Sequence, residues 1–471
     1  MVGAILLSRR DCLACAAAAA VTPRFRLKPD RKSSFVTPEQ FGALGDGVTN
    51  DTDAFAAMAT FVNKRRGGAI SLRATTYIVG KQAPDPTMSA YAFAPADILE
   101  FDGCSEQLSI VGNGARIRCA DGLRFGTFDP STGEPTANTM PYYGQGELAT
   151  PYVAMISAKN CSGGIDISNL ELDGNLQRLM IGGPYGDTGR QIPAVGLRLL
   201  NNSCSEQVTQ VYTHHHALDG LYIDGPAERN AASTIESVVS EYNVRQGCSL
   251  VGGRNYSFKD CRFNHTGKAG LASAPGAGID IEAETKPIRN LSFSGCEFSN
   301  NTGVGMLADS GDSESATLDN CRFVGTTAWS AWPRKPLFRF TACTFVGSIC
   351  NTFGDVDPER AAQFANCVFL DDASLSPTGE VFKPSVAIAS LNICKNVLFD
   401  GCRFSLTGQS VLPYSTSALY NNCTMSQVAS KTAYPRGTYT GVNEITGPVV
   451  LNGSIILGDL TVNGELKPRT A

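Results

Sequence analysis

Seven cysteines recur in one local context: Cys261 in DCRF, Cys296 in GCEF, Cys321 in NCRF, Cys343 in ACTF, Cys367 in NCVF, Cys402 in GCRF and Cys423 in NCTM. Their spacings are 35, 25, 22, 24, 35 and 21 residues. A period of about 22–25 residues, with two intervals lengthened by a loop of about ten, marks a repeat architecture. Beyond the first 22 residues no CxxC spacing occurs and the four histidines lie elsewhere, so zinc does not explain the pattern. Charged residues are only 18% of the chain, against the roughly 25% of an average globular protein. With 48 glycines in 471 residues, this is the balance of strands and turns rather than of solvated helices. A net charge of −5 argues against a nucleic-acid partner, and no apolar run reaches the 18 residues of a membrane span.

Laid over one another without gaps, residues 210–220, 237–247, 260–270 and 295–305 align, each closed by glycine. A second short strand follows in each, at 220–225, 247–252, 278–283 and 305–310. Within the first strands, residues such as Cys261, Arg262 and Phe263 alternate with period two, which sends cysteine and phenylalanine to one face and arginine to the other. One coil cannot bury its apolar face alone, so coils stack, like residue above like residue at a strand spacing of about 4.8 Å. The expected fold is all-β, a parallel β-helix of about 10–13 coils over residues 35–440. A helix at about 51–65, carrying Ala54, Phe55, Met58, Phe61 and Val62 on one face and stopped by Gly67 and Gly68, is expected to cap its start. Residues 441–471 read as a last coil or a short-strand tail.

The segments FGALGDGVTNDTDAF (41–55) and GGAISLRATTYIV (67–79) resemble the opening of the pectate-lyase-like superfamily, in its bacterial branch of polygalacturonase-like and epimerase-like proteins. NVRQGCSLVGGRNYSFKDCRFNHTG (243–267) and APGAGIDIEAE (274–284) resemble a further segment of that branch. The resemblance implies a right-handed helix, in agreement with the general preference for right-handed crossovers. It implies a polysaccharide partner, calcium as the cofactor where one is used, and a monomer or homotrimer. Asp46, Asp51 and Asp53 of the opening are expected to be structural.

The histidines direct attention to one patch. His214, His215, His216 and His265 lie within 52 residues, in coils that the alignment makes neighbours. Its columns stack His214, Glu241, Asn264 and Ser299, and beside them His215, Tyr242, His265 and Asn300. In GIDIEAE, core-facing Ile279 and Ile281 force Asp280 and Glu282 outward, about 6.5–7 Å apart, and Asp224 and Asp309 share the Glu282 column. Such carboxylates serve as acid and base or hold a calcium ion. The expected catalytic set is Glu241, His265, Asp280, Glu282 and Arg245, with Asp280 and Glu282 as the metal ligands. His214, His216, Tyr242, Asn243, Gln246 and Lys268 are expected to bind the glycan.

The polygalacturonase Asp-Asp, Gly-His-Gly and Arg-Ile-Lys elements, the aspartate array of calcium pectate lyases and the DPHE signature of mannuronan epimerases are missing. Elimination on a uronate glycan, or a related epimerisation, is the leading expectation, because arginine beside histidines and carboxylates suits an anionic sugar. Glycoside hydrolysis and non-catalytic, tailspike-like glycan binding are the alternatives. Ser8, Arg9 and Arg10 ahead of the short apolar run from Cys12 to Val21 resemble a twin-arginine export signal over residues 1–22, which implies a periplasmic or secreted protein. Export before folding would favour disulfides. Folding before transport is expected to keep the cysteine ladder as free thiols.

Overall fold

The computed structural model describes residues 35–470 apart from 86, 88–90, 141–146, 186–190, 383–387, 390–394, 414–417 and 429–431. The export-signal reading of residues 1–22 lies outside the described residues. From residue 35 onward the chain winds as a parallel β-helix. One ladder runs through 68–79, 108–119, 165–173, 206–214, 233–241, 256–264, 288–299, 313–324, 338–346, 363–370, 397–406, 418–427, 438–446 and 455–462, fourteen levels in all. Most of these segments bend at a left-handed residue such as Gln210, Ser237, Asp260 or Asn320, so each level contributes two short strands. In the first eight coils a third strand follows on a separate ladder, through 99–102, 154–159, 195–200, 219–224, 246–254, 279–281, 306–308 and 331–333. Thirteen of these levels begin within residues 35–440, and the fourteenth, 455–462, lies in the segment read as a last coil or short-strand tail.

The alternation read in the sequence sets the interior. Phe263, Phe298, Phe323, Phe345, Phe369 and Phe404 are fully buried and form one continuous stack, with ring centroids 5.7, 4.9, 4.8, 5.1 and 4.5 Å apart. Phe340, Phe364, Phe399, Tyr420 and Tyr439 form a second, at 4.7, 5.1, 5.4 and 5.1 Å. Exact register puts identical rings at strand spacing, where offset stacking adds to the burial of 150–250 Å² per aromatic. All thirteen described cysteines are free and buried. The ladder thiols donate to main-chain carbonyls, Cys261 to Ile235 and Cys343 to Leu318 at 3.3 Å, Cys423 to Phe399 at 3.2 Å. Cys321→Ser places a stronger hydrogen-bonding group in the same apolar stack. We expect it to lower stability by about 1–3 kcal/mol, read as an earlier denaturant midpoint; an unchanged midpoint would show that the column tolerates a hydroxyl.

The cap is a helix, Thr52–Lys64, whose Ala54, Phe55, Met58 and Val62 are buried over the first coil. Phe61 departs from expectation: it is 38% exposed and packs edgewise on Phe41 instead, 5.6 Å between centroids. Gly67 stops the helix at φ +144°, where a Cβ would fall 2.6 Å from the Glu106 carbonyl. Asp51 accepts the Leu44 and Gly45 amides at 2.8 and 3.1 Å, Asp46 those of Val48 and Thr49 at 2.9 and 2.7 Å, and Asp53 pairs with Lys81 at 2.5 Å. All three carboxylates of the opening motif hold the cap together.

Candidate functional site

Glycine stands at the start of four consecutive third-ladder strands. Gly220, Gly247, Gly278 and Gly305 occupy one column, where a Cβ would lie 2.0–2.6 Å from Ser240 Oγ, the Gly278 carbonyl, Asn301 Nδ2 and the Ser330 carbonyl respectively. Gly270, which closes the third repeat in the alignment, belongs instead to the excursion that runs on to Gly278. This close approach brings the turns that precede the strands against the strands themselves, and it places Asp219 and Arg245 at the mouth of the sheet. Outward residues of the ladder then follow in register: Glu100, Ser157, Arg198, Tyr222, Ser249, Asp280, Leu307 and Trp332.

A cleft of about 470 Å³ opens on this face, lined by Arg198, Asp219, Tyr222, Arg245 and Glu284 among apolar neighbours such as Leu218 and Pro193. Asp219 is fully buried; its Oδ2 accepts Ser249 Oγ at 2.8 Å, while its Oδ1 has no hydrogen-bond partner among the described residues. Burial pushes its pKa up to about 6, against the pull of Arg245 and Ser249. Glu284 is raised too, by burial and by Glu282. Arg245 offers a buried Nε that is equally unpartnered. Behind them Asp280 is 4% exposed and is pushed up to about 8 by burial and by Glu282. Gln246 Nε2 donates to its Oδ2 at 2.8 Å, and Gln246 Oε1 accepts the Ala277 amide of the excursion at 3.0 Å. The two tryptophans of the chain, Trp329 and Trp332, pack on each other at 5.2 Å beside Leu307, two strands along the same face.

The histidine columns are real registers of the sheet. His214 pairs with Glu241 and Glu241 with Asn264, whose Oδ1 accepts the Ser299 amide at 2.8 Å. His215, Tyr242 and His265 stack face to face at 5.3 and 4.8 Å, and Asn300 Nδ2 meets His265 Nδ1 at 2.9 Å. All four turn residues are left-handed, φ +55 to +57°. Asparagine tolerates that region, whereas histidine and tyrosine pay about 1–2 kcal/mol for it. Burial, then the neighbouring His214, lowers the pKa of His215, and burial lowers that of His265 against Glu241 and Glu297. His214 is buried, with Nε2 3.0 Å from Glu171 Oε1 and Nδ1 2.7 Å from His215 Nδ1. A second cleft, about 250 Å³ and lined by Arg116, Arg118, Asp173, Arg178, His214 and His215, opens beside it.

The expected single site is therefore divided. Glu241, Tyr242 and His265 belong to the histidine columns; Arg245, Asp280 and Glu282 belong to the third ladder, and the two clefts share no lining residue. Three expected glycan contacts are corrected. His216, Asn243 and Gln246 are fully buried, because Tyr152 Oη meets His216 Nδ1 at 2.9 Å, Asn243 Oδ1 accepts the His216 amide at 3.0 Å, and Gln246 bridges Asp280 to Ala277. They position the turns and cannot touch a glycan. Lys268 is half-buried, its Nζ 3.4 Å from Thr327 Oγ1, and burial lowers its pKa. A bulge after Ile223 takes Asp224 out of the expected Glu282 column, opposite Gly252 and onto Lys286 at 2.9 Å. Calcium requires six to eight hard oxygens. Asp280 is buried behind Gln246 and Glu282 accepts Ser310 Oγ at 2.9 Å, so these two carboxyls alone fall short of that number.

Asp219, Glu284, Tyr222 and Arg198 were not among the expected site residues. Asp219 follows THHHAL directly, three positions after His216, and Glu284 ends the GIDIEAE motif, two after Glu282, so the signal lies beside expected site residues. Asp173 lies one coil earlier and Arg116 and Arg118 two coils earlier, before the aligned repeats begin.

Residues 156–329 match a family model described as a right handed beta helix region. No curated protein matches the chain. Among solved structures, the A-module of the Azotobacter vinelandii mannuronan C-5 epimerase AlgE4 is similar at 16% identity and TM-score 0.45, over 90% of this chain and 99% of that one. The tailspike protein gp49 of the Acinetobacter baumannii bacteriophage Fri1, a capsular polysaccharide depolymerase, is similar at 14% identity and TM-score 0.42, over 90% of this chain and 64% of that one. The N-terminal fragment of bacteriophage Phi29 gene product 12 gives 12% identity and TM-score 0.49, over 92% and 73%. The family match over the middle coils and the parallel registers on either side of it make this chain a right-handed parallel β-helix.

Proposed function

We propose that the chain is a carbohydrate-active enzyme that hydrolyses glycosidic bonds of a polysaccharide laid along the third ladder. The observation that carries the reading is the cleft in which two carboxyls of raised pKa, Asp219 and Glu284, flank Arg245. In this reading Asp219, with one unpartnered oxygen, gives its proton to the leaving glycosidic oxygen as the C–O bond breaks. Glu284, ionised, takes a proton from the attacking water. Arg245 favours the charged form of both carboxyls, and the complete burial of Asp219 is what holds its proton against that pull, which is how paired carboxyls divide acid and base roles. Tyr222 and, further along, Trp332 supply aromatic faces for sugar rings.

Elimination on a uronate is the second reading, favoured by Arg198 and Arg245 in the same cleft. Four acidic groups around Arg245, namely Asp219, Asp280, Glu282 and Glu284, weigh against an anionic sugar there, and this reverses the order expected from the sequence. The test is incubation of the purified protein with a panel of neutral and acidic polysaccharides. New reducing ends without the ultraviolet absorbance of an unsaturated uronate are expected. Chain shortening with that absorbance would establish elimination, and no shortening of any glycan would leave a binding protein. Export belongs to the same proposal, and cell fractionation should place the mature chain outside the cytoplasm.

A further inference from the structure

We propose that Asp173, His214 and His215 form a binding site for a borderline divalent transition metal of the zinc class, on the histidine face and separate from the third-ladder cleft. One ligand atom from each of the three, Asp173 Oδ1 and the two imidazole nitrogens, lies within 4.8 Å of the others. His214 Nδ1 is 2.7 Å from His215 Nδ1 and 3.7 Å from Asp173 Oδ1. Nitrogens bound to one zinc at about 2.0–2.1 Å stand roughly 3.0–3.4 Å apart, so a small rotation of the half-buried His215 opens the seat. Two imidazoles and one carboxylate, with a further coordination position open, are the donor set that suits zinc and its neighbours rather than calcium or magnesium.

The support around the triad is the second, independent observation. His214 places Nε2 3.0 Å from Glu171 Oε1; donation there fixes the tautomer that turns the Nδ1 lone pair toward the seat, the carboxylate–histidine–metal arrangement. Tyr212 stacks on the His214 ring at 4.2 Å and holds its plane. Asp173 is oriented in the same way: Arg116 binds Oδ2, and the Asn175 amide donates to Oδ1 at 2.8 Å, which leaves the second lone pair of Oδ1 facing His214. The cleft of about 250 Å³ that touches all three residues gives room for water or a ligand anion as the remaining donor. Arg116 and Arg118 neutralise Asp173 and Glu171, so the ion keeps most of its charge and the affinity should be on the order of micromolar rather than nanomolar.

The test is calorimetric titration of the chelator-treated full-length protein with zinc chloride, repeated with cobalt for its absorption spectrum. One equivalent should bind, with a cobalt spectrum free of thiolate charge-transfer bands. Asp173→Asn and His215→Ala should abolish binding, Glu171→Gln should weaken it about 10–100-fold, and His265→Ala should leave it unchanged. His215 is half-buried, so its variant keeps the test open even where changes at His214 disturb folding. No binding, binding indifferent to the Asp173 and His215 variants, or a cobalt spectrum dominated by thiolate would each overturn the assignment.

Discussion

Asp219→Asn is expected to lower kcat/KM on the glycan that the wild type cleaves by at least about 100-fold, the usual worth of a positioned general acid. The amide matches the carboxyl in shape and still offers an oxygen to Ser249 Oγ, the 2.8 Å partner of Oδ2, so the variant should fold and lose no thermal stability, and above about pH 6 it should gain some because the buried charge is gone. The pH profile supplies the mechanistic check. A general acid acts only while protonated, and burial holds Asp219 at about 6. The kcat/KM of the wild type should therefore fall as pH rises through about 6, and that limb should be missing from whatever activity the variant retains. Glu284→Gln should remove the acidic limb by the converse logic, since a base acts only when ionised. A wild type whose activity instead climbs into the alkaline range would return Asp219 to a structural role.

How far the sequence reaches is set by the period of the fold. Cys261, Cys296, Cys321 and their successors mark coils because each must occupy the same point of a narrow interior, and Phe263, Phe298 and Phe323 recur two residues later for the same reason. The outward columns were legible too: His215, Tyr242 and His265 stack as their alignment implies. Burial was not. A period of two separates inward from outward, but outward residues are exposed only where nothing crosses them. Asp280 points away from the core between Ile279 and Ile281, and is still covered because Gln246 ties it to Ala277 of the excursion between coils.

The same limit explains why one expected site became two. Stacking fixes distances along a column, at about 4.8 Å per level, but carries no information about the angle between the faces of a coil. Glu241 and Asp280 are close in sequence and in level, yet lie on ladders separated by the turn at 242–245 and the longer excursion before Gly278. The third-ladder cleft draws Arg198, Asp219, Arg245 and Glu284 from four successive coils, each from a different offset within its repeat. No single column contains them.

Asp280 offers the largest effect on stability. Its folded pKa of about 8 stands far above the ordinary aspartate value of 3.8, with burial and Glu282 as the main causes and Asp309 and Asp219 adding to them against Arg245. A group raised on folding contributes stability that is complete below the unfolded value and is lost as pH rises through the folded one. Between about pH 4 and pH 8 the native state should accordingly lose on the order of 4 kcal/mol through this one residue. Asp280→Asn keeps an acceptor for Gln246 Nε2 and removes the titration, so its denaturant midpoint should change less with pH than that of the wild type, and the two curves should diverge most at pH 8. Asp219, raised to about 6, acts with the same sign over a narrower window in both proteins, which is why the difference between the curves, not the slope of either, isolates Asp280. Parallel curves from pH 4 to 8 would mean that water or a rearranged Arg245 reaches the carboxylate and that the back of the cleft is wetter than its burial implies.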